Sequence, residues 1–389
     1  MESGQLRRLN LCYAGIQSLY WAGFAAIWAF LSVLLLYRGF SNSQIGTVSA
    51  LALLMPLAVQ PVLASLADRD RRFTSRRLAM ALTGLLLLCA VGLWCSAGSM
   101  AVTAALYVLV GISLTATAPF HSAMAMELQQ HGVALNYGLS RGLGSACYAA
   151  SVLVLGVVVE RYAPTAVLPV FAGEMLLLLL LTWRFRASPT AAAAGSGPVL
   201  SVGQLLRRYP AYTWLLVGCA LLMACHSATC TYMIHIVGKV GGSESMMGSA
   251  LAVAAFLELP AMGLFSRVRR KVPLAWLLIF CAAFFVIRAG LFWAARSVPV
   301  LYLAAALDFF EYGIFIPATV YYVAEHIDPA NQVKGQSLMG MATTGVGSAF
   351  GNFVSGQLLD RAGVSGMLLF CSVCAAVGLL VVIYAVRRK

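Results

Sequence analysis

The chain has 389 residues, of which 61% are hydrophobic and only 10% are charged, and its formal net charge is +13. A composition this apolar excludes a soluble globular domain and is typical of a protein that crosses the bilayer many times. In a soluble protein the excess of basic residues would suggest a nucleic-acid partner. In a membrane protein it is explained by arginines and lysines in the cytoplasmic loops. We therefore expect the chain to be surrounded by lipid and to bind no nucleic acid.

Twelve apolar segments are long enough to cross the hydrocarbon core, which takes about 20 helical residues. The predicted spans are residues 11–36, 45–66, 78–97, 101–126, 138–159, 164–183, 212–237, 246–265, 274–294, 299–323, 336–358 and 364–386. A run of small residues from Ala187 to Pro198 separates the sixth span from the seventh, and this composition is typical of a flexible linker. The sequence thus predicts an all-α integral membrane protein: an N-terminal six-helix bundle (1–186), a cytoplasmic linker (187–211) and a C-terminal six-helix bundle (212–389).

The basic residues are concentrated in alternate connecting segments. Clusters occur between the second and third spans (Arg69 to Arg77), between the eighth and ninth (Arg267 to Lys271) and at the C-terminus (Arg387 to Lys389). Because short basic segments remain on the cytoplasmic side, this distribution predicts that both termini are cytoplasmic. We expect a multi-pass protein of a bacterial cytoplasmic membrane, present as a monomer.

The two halves share a sequence pattern. Gly142-Leu-Gly-Ser-Ala146 in the fifth span recurs as Gly345-Val-Gly-Ser-Ala349 in the eleventh, at about half the chain length, as duplication of a six-helix unit predicts. Small residues every fourth position predict close helix packing in both spans. The two stripes are Gly138, Gly142, Ala146, Ala150 and Gly347, Gly351, Ser355.

The ten cysteines indicate neither disulfides nor a metal site. Most of them lie inside apolar runs, where cysteine behaves as a small hydrophobic residue. Cys371 and Cys374 have the spacing of a redox or zinc motif, but no second ligand pair accompanies them. We predict no metal and no cofactor; the energy source would be a proton gradient.

Three charged residues lie within the ninth and tenth predicted spans. Arg288 is in the ninth span, and Asp308 and Glu311 are in the tenth, three positions apart and hence on one helical face. Charges at bilayer depth are costly and most often functional. One interpretation is a proton carrier in which Glu311 takes up the proton, Asp308 assists and Arg288 adjusts the balance of charge. The alternative is a buried ion pair that only holds two helices together.

The loop after the second span reads Ala64-Ser-Leu-Ala-Asp68-Arg69, followed by further arginines. It resembles the signature loop of the major facilitator superfamily, although Ala64 stands where that signature has glycine. The resemblance implies a cytoplasmic gate in which Asp68 and Arg69 join neighbouring helix ends, and a contact of this kind must break when the carrier changes state. The alternative is ordinary loop charge.

Further motifs resemble one branch of that superfamily, the oligosaccharide:proton symporters typified by lactose permease and the related phenylpropionate transporter. The segment from Asn136 to Gly144 is similar to the fifth-span motif whose arginine holds substrate, which here is Arg141. Glu258 matches an eighth-span glutamate that acts in substrate binding and coupling. Arg288, Asp308 and Glu311 match the ninth- and tenth-span charged residues of the branch, and His226 matches a histidine of the phenylpropionate transporter.

The first half departs from the sugar carrier at one position. The fourth-span acid of that carrier would fall near Ser122 or Ala123, neither of which is acidic. Whether His121 or Glu127 takes its place is open at this stage, as is the question of whether Glu174 faces a cavity.

Other first-half residues have two interpretations. Tyr20 and Gln17 in the first span, with Tyr13 and Trp21, are suited to line a solute site, or they belong to the core. Arg141 either contacts solute, since a guanidinium pairs well with a carboxylate, or caps its helix and extends to the headgroups.

Taken together, these features predict proton-coupled symport of a small polar or anionic organic solute, such as a sugar or an aromatic acid, by alternating access. Arg141, Glu258, His226, Tyr20 and Gln17 would bind the solute. An alternative is a proton-coupled antiporter that exports drugs or metabolites. A more remote alternative is a membrane-embedded enzyme, for which the sequence offers no nucleophile with a base nearby and no dense set of metal ligands.

Overall fold

The computed structural model describes residues 3–69, 73–96, 98–130, 133, 135–185 and 200–388, with the backbone alone at 3–4, 67–69 and 129–130. The fold divides into two compact units, Met1–Phe40 with Leu51–Ala193, and Ser41–Ala50 with Ala194–Lys389. All the regular structure assigned to the described residues is helical. This is expected in lipid, where a helix satisfies its own backbone hydrogen bonds.

Seven helices, α1 to α7, make up the first half. They are α1 Ser3–Phe24, α2 Leu31–Tyr37, α3 Asn42–Arg69, α4 Ser75–Cys95, α5 Met100–Gln130, α6 Tyr137–Arg161 and α7 Val167–Arg184. A π-helical turn at Ala25–Ala29 links α1 to α2, and the first span bends there by 44°. Residues 42–50 of α3 group with the second unit and the rest of α3 with the first.

Nine helices, α8 to α16, make up the second half. They are α8 Val202–Arg208, α9 Pro210–Thr231, α10 Met233–Gly238, α11 Glu244–Arg269, α12 Leu274–Ala294, α13 Val298–Ala306, α14 Tyr312–His326, α15 Gln332–Gly340 and α16 Ser348–Arg387. Gly363 adopts φ +66° inside α16. Because this left-handed conformation suits glycine and cannot continue a right-handed helix, Gly363 divides α16 into two helical parts.

The predicted membrane spans are present. Ten helical segments of the described chain are long and apolar enough to cross a bilayer, and the bent first segment is an eleventh. The last of the ten covers Pro329–Arg387 and contains the break at Gly363. Dividing it there gives twelve spans, so the predicted all-α fold of twelve helices is confirmed.

The predicted linker, residues 187–211, is described only from residue 200 onward. Its described part holds α8, which begins with a reciprocal capping pair between Ser201 and Gln204. Such a pair satisfies two of the amide groups that a helix start leaves open. A polar helix therefore precedes the seventh span within the range predicted to be linker.

Only one of the two small-residue stripes packs as expected. A Cβ on Gly347 would lie 2.3 Å from the Ala220 carbonyl oxygen, and one on Gly351 would lie 2.1 Å from that of Ala224, so α9 lies directly against these glycines. By contrast, a Cβ on Gly138 or Gly142 would meet no atom within 4 Å. The prediction of close packing at Gly138 and Gly142 is wrong, since these glycines face open space.

The glycine that does permit close packing in the fifth span is Gly144. A Cβ there would lie 3.1 Å from the Gln17 carbonyl oxygen and 2.6 Å from Cδ1 of Trp21. The contact therefore falls on a different face of α6 from the predicted stripe, and it brings α1 against α6.

The start of α3 is capped from within the second unit. The Asp360 carboxylate accepts hydrogen bonds from the Ser43 amide at 2.8 Å and the Asn42 amide at 3.2 Å. It also accepts from the side chains of the same two residues. A carboxylate at this place satisfies open amides and complements the helix dipole.

Candidate functional site

The charged residues of the second unit meet in one cluster. Arg288 projects from the middle of α12, Asp308 and Glu311 lie between α13 and α14, and His226 comes from α9. Relative exposure is 2% for Arg288 and 1% for each of the two acids. Because burial of an isolated charge is costly, the four side chains are stabilised chiefly by one another.

Arg288 pairs with both acids through a single nitrogen. Its Nη1 lies 3.0 Å from Oδ1 of Asp308 and 3.0 Å from Oε1 of Glu311. Nε donates to the Ala304 carbonyl at 3.2 Å, which fixes the plane of the guanidinium. Nη2 is buried and has no hydrogen-bond partner among the described residues.

His226 contacts both the arginine and Glu311. Its Nδ1 is 2.9 Å from Oε1 of Glu311 and 3.3 Å from Nη1 of Arg288, and its ring stacks on Tyr312 with centroids 4.4 Å apart. A protonated Nδ1 donates to Glu311, whereas an unprotonated Nδ1 accepts from Arg288. The same geometry therefore accommodates the imidazole with and without a proton on Nδ1.

Glu258 adds a third acid to the cluster. It lies on α11, where its carboxyl neighbours that of Asp308 and interacts electrostatically with His226. Gly313 makes this approach possible, because a Cβ there would lie 2.6 Å from that of Ala261 and 3.4 Å from Cα of Glu258. The cluster thus contains three carboxyls and one arginine, so full ionisation would bury an excess of negative charge, which a bound proton reduces.

The tenth span is broken at the acids, which the sequence did not predict. The helix gives way to a 3-10 turn at Leu307–Phe309, and Glu311 has φ −85° and ψ −93°, outside the helical range. Apart from the two acids this segment is continuously apolar, which is why we expected one regular helix. Interrupted helices in membrane proteins commonly occur at ion and substrate sites.

Sequence reasoning also missed the residues that hold His226 in place. Tyr312 stacks on its ring, and Sγ of Cys230 lies 3.7 Å from its Nε2. Cys230 follows His226 by four positions on the same helix, so the i, i+4 spacing was the signal available for it. Nothing in the sequence indicates the Tyr312 contact, which joins separate helices.

The cluster also contains a minimal set of metal ligands. His226, Asp308 and Glu311 each offer one ligand atom, and these three atoms lie within 4.8 Å of one another. Such nitrogen and oxygen donors can bind a divalent ion. The guanidinium of Arg288 already contacts both carboxylates, so a positive charge occupies the position that an ion would take.

A second group of predicted residues lines a small cavity in the first unit. The cavity has a volume of about 40 Å³ and is lined by Gln17, Tyr20, Trp21, Ala118, His121, Ser122, Tyr137 and Arg141. The guanidinium of Arg141 lies 3.9 Å above the Trp21 ring, a favourable cation–π distance. The predicted solute-binding residues therefore form two groups: Arg141, Tyr20 and Gln17 here, and Glu258 and His226 in the charged cluster.

Arg141 neither caps its helix nor extends toward the headgroups. The cap of α6 is Asn136, whose side chain accepts from the Leu139 amide. Arg141 instead donates to Oγ of Ser145 at 2.7 Å, one turn further into the span. These contacts oppose the cap and the headgroup alternatives, and the role of Arg141 in solute binding remains a prediction.

The structure also locates the other uncertain residues of the first unit. His121 lines the cavity, whereas Glu127 accepts a 2.6 Å hydrogen bond from Ser75 and is not among the lining residues. Oε2 of Glu174 is buried without a hydrogen-bond partner in the described chain, also away from this cavity. The side chains of the predicted gate residues Asp68 and Arg69 lie outside the described residues.

Twelve spanning helices with buried charges and a polar cavity define a membrane transporter of the major facilitator fold. The family model of the MFS_1 like family matches residues 8–384, and the chain belongs to this family. It is 27% identical to the maltose permease of Geobacillus stearothermophilus, over 94% of this chain and 92% of that protein. It is 21% identical to the uncharacterized transporter YwbF of Bacillus subtilis, over 100% and 96%.

Among solved structures, the chain is similar to the nucleoside transporter NupG. The TM-score is 0.82 at 15% identity, covering 98% of this chain and 99% of NupG. A likeness at this identity shows the fold. Together with the family, it makes this chain a multi-pass membrane transporter and excludes the membrane-enzyme alternative.

Proposed function

We propose that this protein is a proton-coupled symporter of a small polar organic solute, with sugars as the favoured class. The observation that carries the proposal is the buried cluster in which Arg288 pairs with two carboxylates and His226 lies beside both of them. A cluster with more acids than bases takes up and releases protons as a unit. The maltose permease match supports a sugar as the solute.

The cluster also offers a physical link between proton and solute. Nη2 of Arg288 is a buried donor without a hydrogen-bond partner in the described chain, which leaves a donor for an acceptor oxygen of a solute that enters the cluster. A solute that draws the guanidinium away from Glu311 leaves that carboxylate more dependent on a proton. Binding of solute and proton would then favour each other, as symport requires.

The test measures proton movement in lightly buffered, sodium-free proteoliposomes to which sugars are added from outside. Symport predicts a solute-dependent rise in external pH, and antiport predicts a fall, so the sign separates the two mechanisms. We expect Glu311→Gln to abolish the signal, because the amide cannot carry the proton.

The matched control is Glu325→Gln, which changes a surface acid paired with Arg269 and is expected to retain the signal. Uphill solute movement without a pH change, unaffected by Glu311→Gln, would overturn the proton assignment. The cluster would then be a structural ion pair.

A further inference from the structure

His121 is a fully buried histidine whose ring nitrogens are both unused. Its relative exposure is 1%, and neither Nδ1 nor Nε2 has a hydrogen-bond partner in the described chain. Buried polar atoms are almost always paired, because leaving them unpaired forfeits the hydrogen bonds they made in water. An exception at a cavity wall points to a ligand.

The packing around His121 holds it in position without satisfying its polar atoms. Its backbone carbonyl accepts from the Tyr13 hydroxyl at 3.1 Å, and its ring meets that of Tyr20 edge to face, with centroids 5.4 Å apart. The Tyr20 hydroxyl itself donates to the Leu114 carbonyl. The ring is therefore fixed by aromatic and main-chain contacts while both nitrogens remain available.

Other polar side chains of the cavity are engaged within the protein. Gln17 donates to the Tyr13 hydroxyl at 2.9 Å, Ser122 and Tyr137 share a hydrogen bond at 3.2 Å, and Arg141 donates to Ser145. His121 differs from them because both of its polar atoms lack such a bond.

The chemistry of imidazole restricts what can pair with it. A neutral ring has one N–H donor and one acceptor nitrogen on different edges. A carboxylate accepts only, so it would leave the acceptor nitrogen unpaired. Hydroxyl groups both donate and accept, and a solute with several of them can satisfy both nitrogens.

We propose that His121 binds hydroxyl groups of the transported solute and thereby selects neutral polyhydroxylated solutes, mono- or oligosaccharides, over carboxylates. The cavity volume of about 40 Å³ admits a hydroxymethyl group or a few waters, so it receives one edge of a sugar. Arg141, held over Trp21, lines the same cavity. The inference rests on the proposed transport function and specifies its solute class.

The test is equilibrium binding to the purified protein in detergent, with no proton gradient. The probes are maltose, glucose and the singly deoxygenated glucoses, with 3-phenylpropionate as the carboxylate. We expect sugars to bind and the carboxylate not to bind. His121→Phe, which keeps the ring shape without nitrogens, should weaken sugar binding at least tenfold, and His121→Gln, which restores a donor and an acceptor, should recover part of it.

Pairing of mutant and probe identifies the contact. One deoxyglucose should bind the intact protein at least tenfold more weakly than glucose does. The same deoxyglucose and glucose should bind His121→Phe with equal affinity, because removing the sugar hydroxyl and removing the imidazole break the same hydrogen bond. The matched control is His235→Phe, which removes a half-buried histidine of the second unit whose Nε2 is also unpaired. We expect this control to bind sugar normally.

Three outcomes would overturn the inference. They are an unchanged sugar affinity in His121→Phe, the same loss of affinity from glucose to each deoxyglucose in both proteins, or binding of the carboxylate in place of sugars. Because no proton movement is measured, these outcomes are separate from the symport test. Sugar binding through His121 without coupled proton movement would support this inference and refute symport. Proton-coupled transport of a carboxylate would support symport and refute the role of His121 in sugar binding.

Discussion

Arg288 is the residue on which the charged cluster depends. It is the only arginine or lysine in contact with Asp308 or Glu311 among the described ion pairs. Both acids are almost fully buried. Removing one member of a buried pair leaves an uncompensated charge, which costs far more than the pair contributes when intact.

Arg288→Met is expected to lower the stability of the folded protein by about 3–5 kcal/mol, since two acids lose their counter-charge. The measurement is the apparent melting temperature in detergent, with Arg269→Met as the control for a more exposed ion pair, where we expect little change. Adding Asp308→Asn and Glu311→Gln to Arg288→Met should restore much of the lost stability. Failure of this rescue would show that the arginine stabilises the fold through packing and not through charge.

At the scale of the helix, close contact between α9 and the eleventh span is made possible by glycine. The atoms nearest to Gly347 and Gly351 belong to the backbone of α9, which cannot move aside as a flexible side chain can. Membrane helices associate by van der Waals contact, and close approach of backbones increases this contact. Gly138 and Gly142 of the fifth span lack this constraint, whereas Gly144, which the repeated motif aligns with Gly347, shares it.

This difference predicts that replacing glycine by alanine changes the stability of the protein in opposite directions at Gly351 and Gly142. Gly351→Ala should destabilise the protein by about 1–3 kcal/mol, because the new methyl group overlaps the Ala224 carbonyl. Gly142→Ala should leave stability unchanged or raise it by up to about 1 kcal/mol, because alanine favours the helix and meets open space. Melting temperatures of the two variants check this, and a similar loss in both would show that Gly142 also lies in a packed contact.

At the scale of the whole molecule, net charge moved per cycle links the proposed mechanism to the driving force. One proton carried with a neutral sugar moves one positive charge across the membrane. One proton carried with a monovalent carboxylate moves none. The membrane potential therefore drives the first process and leaves the second unaffected.

An inside-negative potential of about 100 mV supplies about 2.3 kcal/mol per charge. This corresponds to about 50-fold accumulation of a neutral sugar, since 1.4 kcal/mol is a factor of ten. The measurement is radiolabelled sugar uptake into proteoliposomes with a potassium diffusion potential and no pH gradient. The Glu311→Gln variant should let the sugar reach only equal concentrations inside and outside the vesicles. A lower sugar concentration inside than outside at the same potential would indicate antiport.

Local properties of the sequence were sufficient for the main features of the fold. The number of spans follows from hydrophobic length, which depends only on the residues within each segment. The proximity of Arg288 to Asp308 and Glu311 was also foreseeable, because buried opposite charges on consecutive spans stabilise each other. The roles in transport assigned to Arg141, Glu258 and the gate residues Asp68 and Arg69 remain predictions.

Rotation and interruption of helices were decided only by tertiary structure. The position of His226 beside Glu311, the break in the tenth span and the packing of Gly144 instead of Gly142 depend on which face each helix turns to its neighbours. In a segment that is apolar all round, the sequence carries little periodic signal for that face. His121 shows this most clearly, because its two unpaired nitrogens became evident only when its neighbours on other helices were known.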